Sequence, residues 1–209
     1  MTCWACKVED VLEGTVFCPS CRKIQPVGRN EDYFSLLGLP REFALELLDL
    51  ERRFRDLSRQ LHPDRFARAE PRERRLSLER ATRLNDAFRA LRDWRQRAGY
   101  LLKIAGTDVF AEGRTFADPD FLEEQLEWRE QLALAIADGD AERLAAIAAD
   151  ARGRLAHLED EVARRFADER WYSDLNVDIA RRLSRARYYD NIVADAERAS
   201  AAARPRQEP

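Results

Sequence analysis

The chain has 209 residues, 45% of them hydrophobic, which is enough to bury a core in one or two domains and argues against wholesale disorder. No apolar run approaches the roughly 20 residues of a membrane-spanning helix, and the N-terminus shows no targeting pattern, so we expect a cytoplasmic protein without membrane association. The net charge of −3 hides a basic block at 72–103 (ten basic, four acidic) and an acidic block at 112–140 (two basic, nine acidic). Such blocks indicate two binding faces rather than a nucleic-acid-coating surface, which needs an overall basic excess.

The composition predicts an all-α fold. Gly and Pro number eight each, Ala and Arg are abundant, and strand-like alternation is nearly absent outside the first 30 residues. We expect four segments along the chain: a four-cysteine metal-binding segment at 1–28, a helical hairpin domain at 30–106, a three-helix bundle at 107–200 and a flexible tail at 201–209.

The first segment carries all four cysteines as two C-x-x-C pairs, Cys3 with Cys6 and Cys18 with Cys21. This spacing lets four thiolates converge tetrahedrally, as a structural zinc ion requires, and disulfides are the weaker interpretation in a reducing cytoplasm. Iron or an iron–sulfur cluster can use the same sulfurs. We expect one structural metal ion, bound as the segment folds, and helices elsewhere whose signal survives metal removal.

The second segment predicts two antiparallel helices. The first apolar stripe comprises Leu47, Leu50, Phe54, Leu57 and Leu61, and the second comprises Ala81, Leu84, Phe88 and Leu91. The first helix must stop near His62, because Pro63 disfavours the α conformation in the residue before it. The second helix is expected from about Pro71 to Arg97. Both apolar faces are buried only if the two helices pack against each other.

The third segment predicts an antiparallel three-helix bundle. Its first helix is expected at 121–137, with Asp118 or Asp120 as the N-cap, and its last helix at about 174–199. The middle helix has the cleanest apolar period of the chain, with Leu144, Ile147, Ala151, Leu155, Leu158, Val162 and Phe166. The last helix has its stripe at Leu175, Ile179, Leu183, Ala186 and Val193.

The order of motifs resembles a known family. Asp32-Tyr-Phe, then the basic helix, then His62-Pro-Asp-Arg-Phe66 resemble a J-domain, the module that docks on DnaK-type ATP-driven chaperones and stimulates their ATP hydrolysis. Arg97-Ala-Gly-Tyr-Leu-Leu102 and residues 121–130 resemble the HscB family of iron–sulfur cluster co-chaperones, whose C-terminal bundle binds the IscU-type cluster scaffold protein. The stretch 17–26 is similar to the cysteine-containing extension of some members, particularly eukaryotic ones.

Carried over residue by residue, the resemblance implies two partner sites. The residues that it implies for docking on the DnaK/HscA-type chaperone are His62, Pro63 and Asp64, supported electrostatically by Arg52, Arg53, Arg55, Arg59 and Arg65. The residues that it implies for scaffold binding are Leu122, Leu126, Glu127, Glu130 and Tyr188. Helix periodicity leaves open that Leu122 and Leu126 are bundle core instead. The chain departs from the family pattern at Glu123, where an apolar residue is expected, and at Leu134, where an acidic one is expected.

No arrangement for covalent catalysis is visible, because the two histidines are His62 in the J-type motif and His157 on the polar side of a helix. We therefore expect a co-chaperone rather than an enzyme. A general protein-folding J-protein is one alternative, although the chain has no Gly/Phe-rich linker. A zinc-ribbon nucleic-acid binder is another, with only Lys7, Arg22 and Lys23 as phosphate contacts in the cysteine segment. Neither alternative explains the third segment.

Overall fold

The structure is a computed structural model that describes residues 1–9, 11–12, 14–109, 118–172 and 175–203. It confirms the all-α prediction: within these ranges, the only strand-like pairing is an isolated bridge between Phe17 and Ile24. None of the helices in the described ranges is long and apolar enough to cross a membrane. The chain divides into two compact units, Met1–Arg97 and Ala98–Pro209.

The first unit contains the cysteine segment and the helical hairpin. Its helices are α1 (Tyr33–Leu37), α2 (Leu47–Leu61) and α3 (Pro71–Arg92), with a 3-10 turn at Pro63–Phe66 between α2 and α3. Helix α1 begins with a capping box, in which Asp32 accepts from the amide of Ser35 and the hydroxyl of Ser35 accepts from the amide of Asp32. It ends at Gly38, which adopts the left-handed conformation (φ 64°).

Helices α2 and α3 bury most of the two predicted apolar stripes against each other, but Leu47, the first residue of α2, is 46% exposed. Leu50 and Leu61 of α2 and Leu84 of α3 are almost completely removed from solvent. Phe54 and Phe88 stack with their ring centroids 4.1 Å apart. Each fully buried leucine contributes about 1.5–3 kcal/mol to the packing of the two helices.

The prediction that the second hairpin helix continues to Arg97 is wrong. Helix α3 ends at Arg92, because Asp93 adopts an extended backbone (φ −84°, ψ 126°). The Asp93 carboxylate then accepts from the amides of Arg95 (2.9 Å) and Gln96 (3.0 Å), which caps a new helix, α4 (Trp94–Ile104). The apolar period does not register this local cap, so it predicted one helix where there are two.

The second unit contains the predicted bundle of three long helices. These are α5 (Leu122–Ala137), α6 (Ala141–Phe166) and α7 (Asn176–Ala203), and a 3-10 turn at Pro119–Phe121 leads into α5. Asp140 caps α6 by accepting from the amide of Arg143 (2.9 Å). The predicted capping by Asp118 is wrong, because its carboxylate binds Arg185 instead. The side chain of Asp120 and residues 204–209 of the expected tail lie outside the described residues.

The bundle core is apolar and rich in small residues. Alanines that are 2% exposed or less occur on all three helices: Ala135, Ala148, Ala151, Ala180, Ala186 and Ala196. Around the start of α5, Phe121 packs edge-to-face on Tyr188 and Tyr189, with centroids 5.4 and 5.5 Å apart. Trp128 contacts Tyr189 in the same way (5.5 Å). These contacts fix α5 against α7 and so determine which face of α5 remains exposed.

Candidate metal centre and partner-binding surfaces

The two C-x-x-C pairs form turns of the same shape. The amide of Lys7 donates to the carbonyl of Cys3 (3.1 Å), and the amide of Arg22 donates to the carbonyl of Cys18 (2.9 Å). Lys7 and Arg22 both adopt positive φ angles, 63° and 61°. The first cysteine of each pair also donates its amide to the carbonyl five residues later, at 2.9 Å in both turns. The backbone thus presents two matching thiol pairs.

The four thiols converge as the spacing predicts. The Sγ atoms of Cys3, Cys6, Cys18 and Cys21 all lie within 4.8 Å of one another. Cys3 and Cys21 are 3.7 Å apart at Sγ, and Cys6 and Cys18 are 3.8 Å apart. A tetrahedral ion with metal–sulfur bonds of about 2.3 Å requires sulfur separations of about 3.8 Å. The donor set therefore fits a single metal ion coordinated by four thiolates.

The electrostatics of the thiols favour a bound cation. Burial tends to raise the pKa of the Cys3 thiol, but amide hydrogen bonds from Cys6 and Ala5 and contacts with other thiols lower the pKa to about 6. At Cys21 the amide of Lys23 lowers the pKa, but burial and hydrogen bonds with the other thiols raise it to about 11. The thiolate therefore forms more easily at Cys3 than at Cys21, where the neighbouring sulfurs oppose a second negative charge. A divalent cation removes that repulsion.

The metal cluster has a small core of its own and one polar neighbour that the sequence did not indicate. Cys3, Cys18 and Val11 form the buried apolar part. Gln25 is completely buried, and its side-chain amide donates to the Sγ of Cys3 at 3.4 Å. A hydrogen bond to a ligand sulfur orients the ligand and tunes the site. The sequence carried no sign of this contact, since glutamine in a loop is usually exposed.

The predicted chaperone-binding loop lies on the surface. His62, Pro63 and Asp64 are all exposed, and the Nδ1 atom of His62 accepts from the amide of Asp64 at 3.3 Å. Helix α3 anchors the start of the loop, because the buried hydroxyl of Ser77 donates to the carbonyl of Leu61 at 2.8 Å. The loop therefore presents its side chains to solvent while its base is fixed.

The predicted docking arginines fall into two groups. Four of them are exposed: Arg52, Arg55, Arg59 and Arg65. Arg53 is half-buried, and its guanidinium donates to the carbonyls of Leu37 (3.3 Å) and Gly38 (2.7 Å), so it ties α1 to α2. Asp49 accepts from Arg53 and Arg52, and these hydrogen bonds hold the pKa of its carboxyl below the usual range. Asp56 pairs with Arg59, so the basic ridge is partly neutralised within its own helix.

The predicted scaffold-binding leucines lie on the surface and not in the bundle core. Leu122 is 60% exposed and Leu126 is 67% exposed, whereas Trp128 on the opposite side of α5 is buried. Glu127 and Glu130 are exposed on the same helix. The exposed face of α5 thus combines two large apolar side chains with carboxylates. An exposed apolar group rimmed by charge is typical of a protein-binding surface.

Tyr188 of α7, the fifth residue of the predicted scaffold site, contacts α5. Its hydroxyl donates to the carbonyl of Gln125 at 2.7 Å, and burial raises its pKa. The Arg129 guanidinium lies over the Tyr188 ring, 5.9 Å from the centroid. Tyr188 is half-buried, and its hydrogen bond and its ring contacts hold α7 against α5.

Comparisons with known proteins identify the family of the chain. Residues 117–197 match the family model described as the HSCB C-terminal oligomerisation domain. The chain is 39% identical to a co-chaperone protein HscB homolog of Paraburkholderia phymatum, covering 67% of this chain and 84% of the relative. It is 44% identical to the corresponding homolog of Bordetella petrii, covering 63% and 80%.

Two solved structures resemble the chain over most of its length. The crystal structure of human co-chaperone protein HscB has 28% sequence identity and a TM-score of 0.83, and the match covers 94% of this chain and 97% of the human one. Chaperone HscB from Vibrio cholerae has 30% identity and a TM-score of 0.71, covering 83% of this chain and all of the other. Fold, sequence and site geometry therefore agree: the chain belongs to the HscB family of co-chaperones and carries a four-cysteine cluster in its N-terminal segment.

Proposed function

We propose that this protein binds an IscU-type iron–sulfur cluster scaffold, delivers it to a DnaK/HscA-type chaperone and stimulates the ATPase of that chaperone, which promotes cluster transfer. The observation that carries the proposal is the exposure of Leu122 and Leu126 in a chain that also exposes the His62–Asp64 loop. A chain that binds both partners raises the effective concentration of one for the other without chemistry of its own. The partner, and not this chain, hydrolyses ATP.

Chaperone docking is assigned to His62, Pro63 and Asp64, which are presented by a loop whose base is anchored. The exposed arginines of α2 steer association with an acidic face of the chaperone, and Arg53 keeps α2 in place. Since Asp49 and Asp56 neutralise part of the ridge, Arg55 and Arg65 are expected to contribute most to steering.

Scaffold binding is assigned to Leu122, Leu126, Glu127, Glu130 and Tyr188. The two leucines supply apolar anchors, and the carboxylates pair with basic groups of the scaffold at the rim. The family match at 117–197 covers this helix and supports the assignment over a general protein-folding J-protein. The net negative charge of the chain and the few basic residues of its cysteine segment argue against nucleic-acid binding.

The metal is assigned as one zinc ion held by Cys3, Cys6, Cys18 and Cys21. Four protein thiolates leave no open coordination position, so the ion supplies structure and not catalysis. Iron or an iron–sulfur cluster is the alternative occupant of the same ligands. We also propose a cytoplasmic location, where reduced thiols are maintained.

The assignment is tested by measuring ATP hydrolysis of the purified chaperone with and without scaffold. Wild-type protein should stimulate hydrolysis, and scaffold should increase the stimulation. His62→Gln should remove stimulation and leave scaffold binding and stability unchanged, because His62 lies in an exposed loop. Full stimulation by His62→Gln would contradict the docking assignment.

Truncation of the α5 face tests the second partner site. Replacing Leu122 and Leu126 together by Ala should weaken scaffold binding by about 2 kcal/mol, roughly thirty-fold, if each anchor contributes about 1 kcal/mol. Leu78→Ala is the matched control, since Leu78 on α3 is 61% exposed and lies in the first unit. Unchanged affinity in the α5 double variant would overturn the scaffold assignment.

A further inference from the structure

An arginine in the middle of α3 is completely buried against the cysteine segment. Arg80 has no exposed surface, and its Nη1 donates to Glu31 Oε2 at 2.6 Å. Its Nε donates to the carbonyl of Gln25 (3.0 Å), and its Nη2 donates to the carbonyls of Pro26 (2.7 Å) and Thr15 (3.5 Å). One side chain of the helical hairpin therefore binds three carbonyls of the segment that carries the cysteines.

Gln25 connects this arginine directly to a metal ligand. Its side-chain amide donates to Cys3 Sγ (3.4 Å) and its main-chain carbonyl accepts from Arg80. Its own amide donates to the carbonyl of Val16 at 2.9 Å, which extends the strand-like pairing on either side of the second thiol pair. Gln25 and Arg80 are both fully buried, so no water competes for these contacts.

Both thiol pairs also contact α3 through their flanking residues. Trp4, between Cys3 and Cys6, lies under the guanidinium of Arg72, 4.5 Å from the ring centroid. Lys23, two residues after Cys21, donates to the buried carboxylate of Glu73 at 2.5 Å. Arg72 and Glu73 lie in the first turn of α3, and Arg80 follows two turns later on the same face as Glu73.

We propose that metal binding at the four cysteines is thermodynamically linked to the packing of α3, and that Gln25 and Arg80 carry the linkage. Without the ion the cysteine segment loses its main source of order. Arg80 then loses its fixed carbonyl acceptors and keeps only Glu31, and a buried guanidinium with most of its hydrogen bonds unmade is unfavourable. Helix α3 must loosen around it.

The linkage reaches the loop to which chaperone docking is assigned. Ser77, one turn before Arg80, anchors the carbonyl of Leu61 next to His62. Loss of metal therefore loosens the base of that loop as well. This inference rests on the proposed metal binding, and it goes beyond the sequence-based expectation that the helical signal survives metal removal.

Hydrogen exchange of the full wild-type chain tests the linkage without any substitution. Amide exchange is followed by mass spectrometry with one equivalent of Zn²⁺ and after chelation. Amides of α3 between Glu73 and Leu84 should exchange at least tenfold faster without the ion, whereas those of α6 in the other unit should not change. Equal exchange of α3 in both states would overturn the inference.

A paired substitution tests the reciprocal effect, since linkage acts equally in both directions. Arg80→Met with Glu31→Gln removes the buried charges together and leaves the cysteines intact. Zn²⁺ affinity, measured by competition with a chromophoric chelator, should fall at least tenfold. The matched control is Arg89→Met with Asp86→Asn, an exposed pair on the same helix, which should bind Zn²⁺ as wild type does.

The outcomes separate this inference from the metal assignment on which it rests. Wild-type protein that binds no Zn²⁺ would overturn both. Zn²⁺ bound with equal affinity by wild type and by the Arg80/Glu31 variant would overturn the linkage and leave the metal assignment standing. Weaker binding in that variant, together with faster α3 exchange in the metal-free wild type, would establish it.

Discussion

The two units are held together by different kinds of core. Among the described residues, the buried polar or charged side chains of the first unit are Gln25, Glu31, Asp32, Glu73, Ser77, Arg80 and Arg97, and Thr107 is the one in the second unit. The bundle instead packs leucine, isoleucine and alanine along α6 and α7. The first unit thus combines an apolar core with a buried hydrogen-bonded network, whereas the second relies mainly on apolar area.

This difference determines how the folding stability of each unit responds to substitutions in its core. A buried polar network depends on every member, because a group that loses its partner pays the full cost of desolvation. An apolar core depends on volume, and a small loss of volume removes only part of the stabilisation. The first unit should therefore respond sharply to single polar substitutions and the second should respond in proportion to the atoms removed.

The largest expected effect is that of Arg80→Met. It leaves Glu31 buried without its main partner and removes a donor from three carbonyls. Breaking a buried ion pair by removing one member costs about 3–5 kcal/mol. Urea unfolding of the first unit, followed by circular dichroism, should show this loss.

The double variant Arg80→Met with Glu31→Gln distinguishes two causes of the loss of stability. One is the absence of the arginine, and the other is the unpaired carboxylate that Glu31 would otherwise leave in the core. The double variant should recover part of the loss, since no unpaired charge remains. Two variants of equal stability would mean that the Glu31 carboxylate is already compensated by Arg83, whose guanidinium also contacts it.

A charge pair of the second unit is expected to matter less and to depend on pH. The hydrogen bond from Arg185 holds the pKa of Asp118 below its usual value of 3.8, against the opposing effect of burial. Because the pKa is lower in the folded state, the pair stabilises fully above the unfolded-state pKa and loses its contribution as the pH falls through the folded-state pKa. Asp118→Asn should cost about 1–2 kcal/mol at pH 7 and less at pH 3.

The measurement is thermal unfolding of wild type and variant at the two pH values. Asp150→Asn, at an exposed position of α6, is the control for a change of net charge alone. A difference between wild type and Asp118→Asn that is the same at pH 3 and pH 7 would show that the charge of Asp118 is not what stabilises the bundle.

The fold was predictable where a local signal coincides with the apolar period. Pro63 fixes the end of α2 at Leu61, and Asp140 fixes the start of α6. The sequence did not predict the break between α3 and α4, because apolar residues continue at helical spacing on both sides of Asp93. In the structure the backbone leaves the helical conformation at Asp93, and the Asp93 carboxylate caps α4. The apolar period is a property of many residues taken together, whereas a single capping residue is enough to end one helix and start the next.

The candidate site was predictable only in part. The convergence of the four cysteines was predictable from their spacing, since two C-x-x-C pairs are typical of a metal site. The exposure of Leu126 was not predictable from the sequence, because the helical period does not tell which of the apolar residues of α5 face the bundle. Arg80 did leave a trace: it lies four residues from both Leu76 and Leu84 on the buried side of α3. Its partner Glu31 is 49 residues away, beyond any local pattern.

A small loss of volume in the bundle tests the expected tolerance of its core. Ile179 on α7 is completely buried, and Ile179→Val removes one methylene group without adding polarity. Such substitutions cost about 0.5–1.5 kcal/mol. Chemical denaturation of the full chain should show this change in the second unit only. A cost above that of Arg80→Met would reverse the comparison between the two cores.

The smallest effect is expected from a second arginine–glutamate pair, which is exposed to solvent, whereas Arg80 and Glu31 are buried. Arg152 of α6 and Glu197 of α7 form an ion pair whose side chains are 52% and 56% exposed. Water and salt screen such a pair, and holding two long side chains in one geometry costs entropy, so its net contribution is typically about 0.2–1 kcal/mol.

A double-mutant cycle with Arg152→Met and Glu197→Gln measures that contribution directly, since it cancels the effects of each single change. The coupling energy should be below about 0.5 kcal/mol and should vanish in 1 M salt, where the Debye length is about 3 Å. The same cycle at Arg80 and Glu31 should give a larger coupling that salt hardly changes, because no solvent reaches the pair. If the two cycles gave similar energies and similar salt dependence, burial would not be what distinguishes the two cores, and the contrast between the units would have to rest on their apolar packing alone.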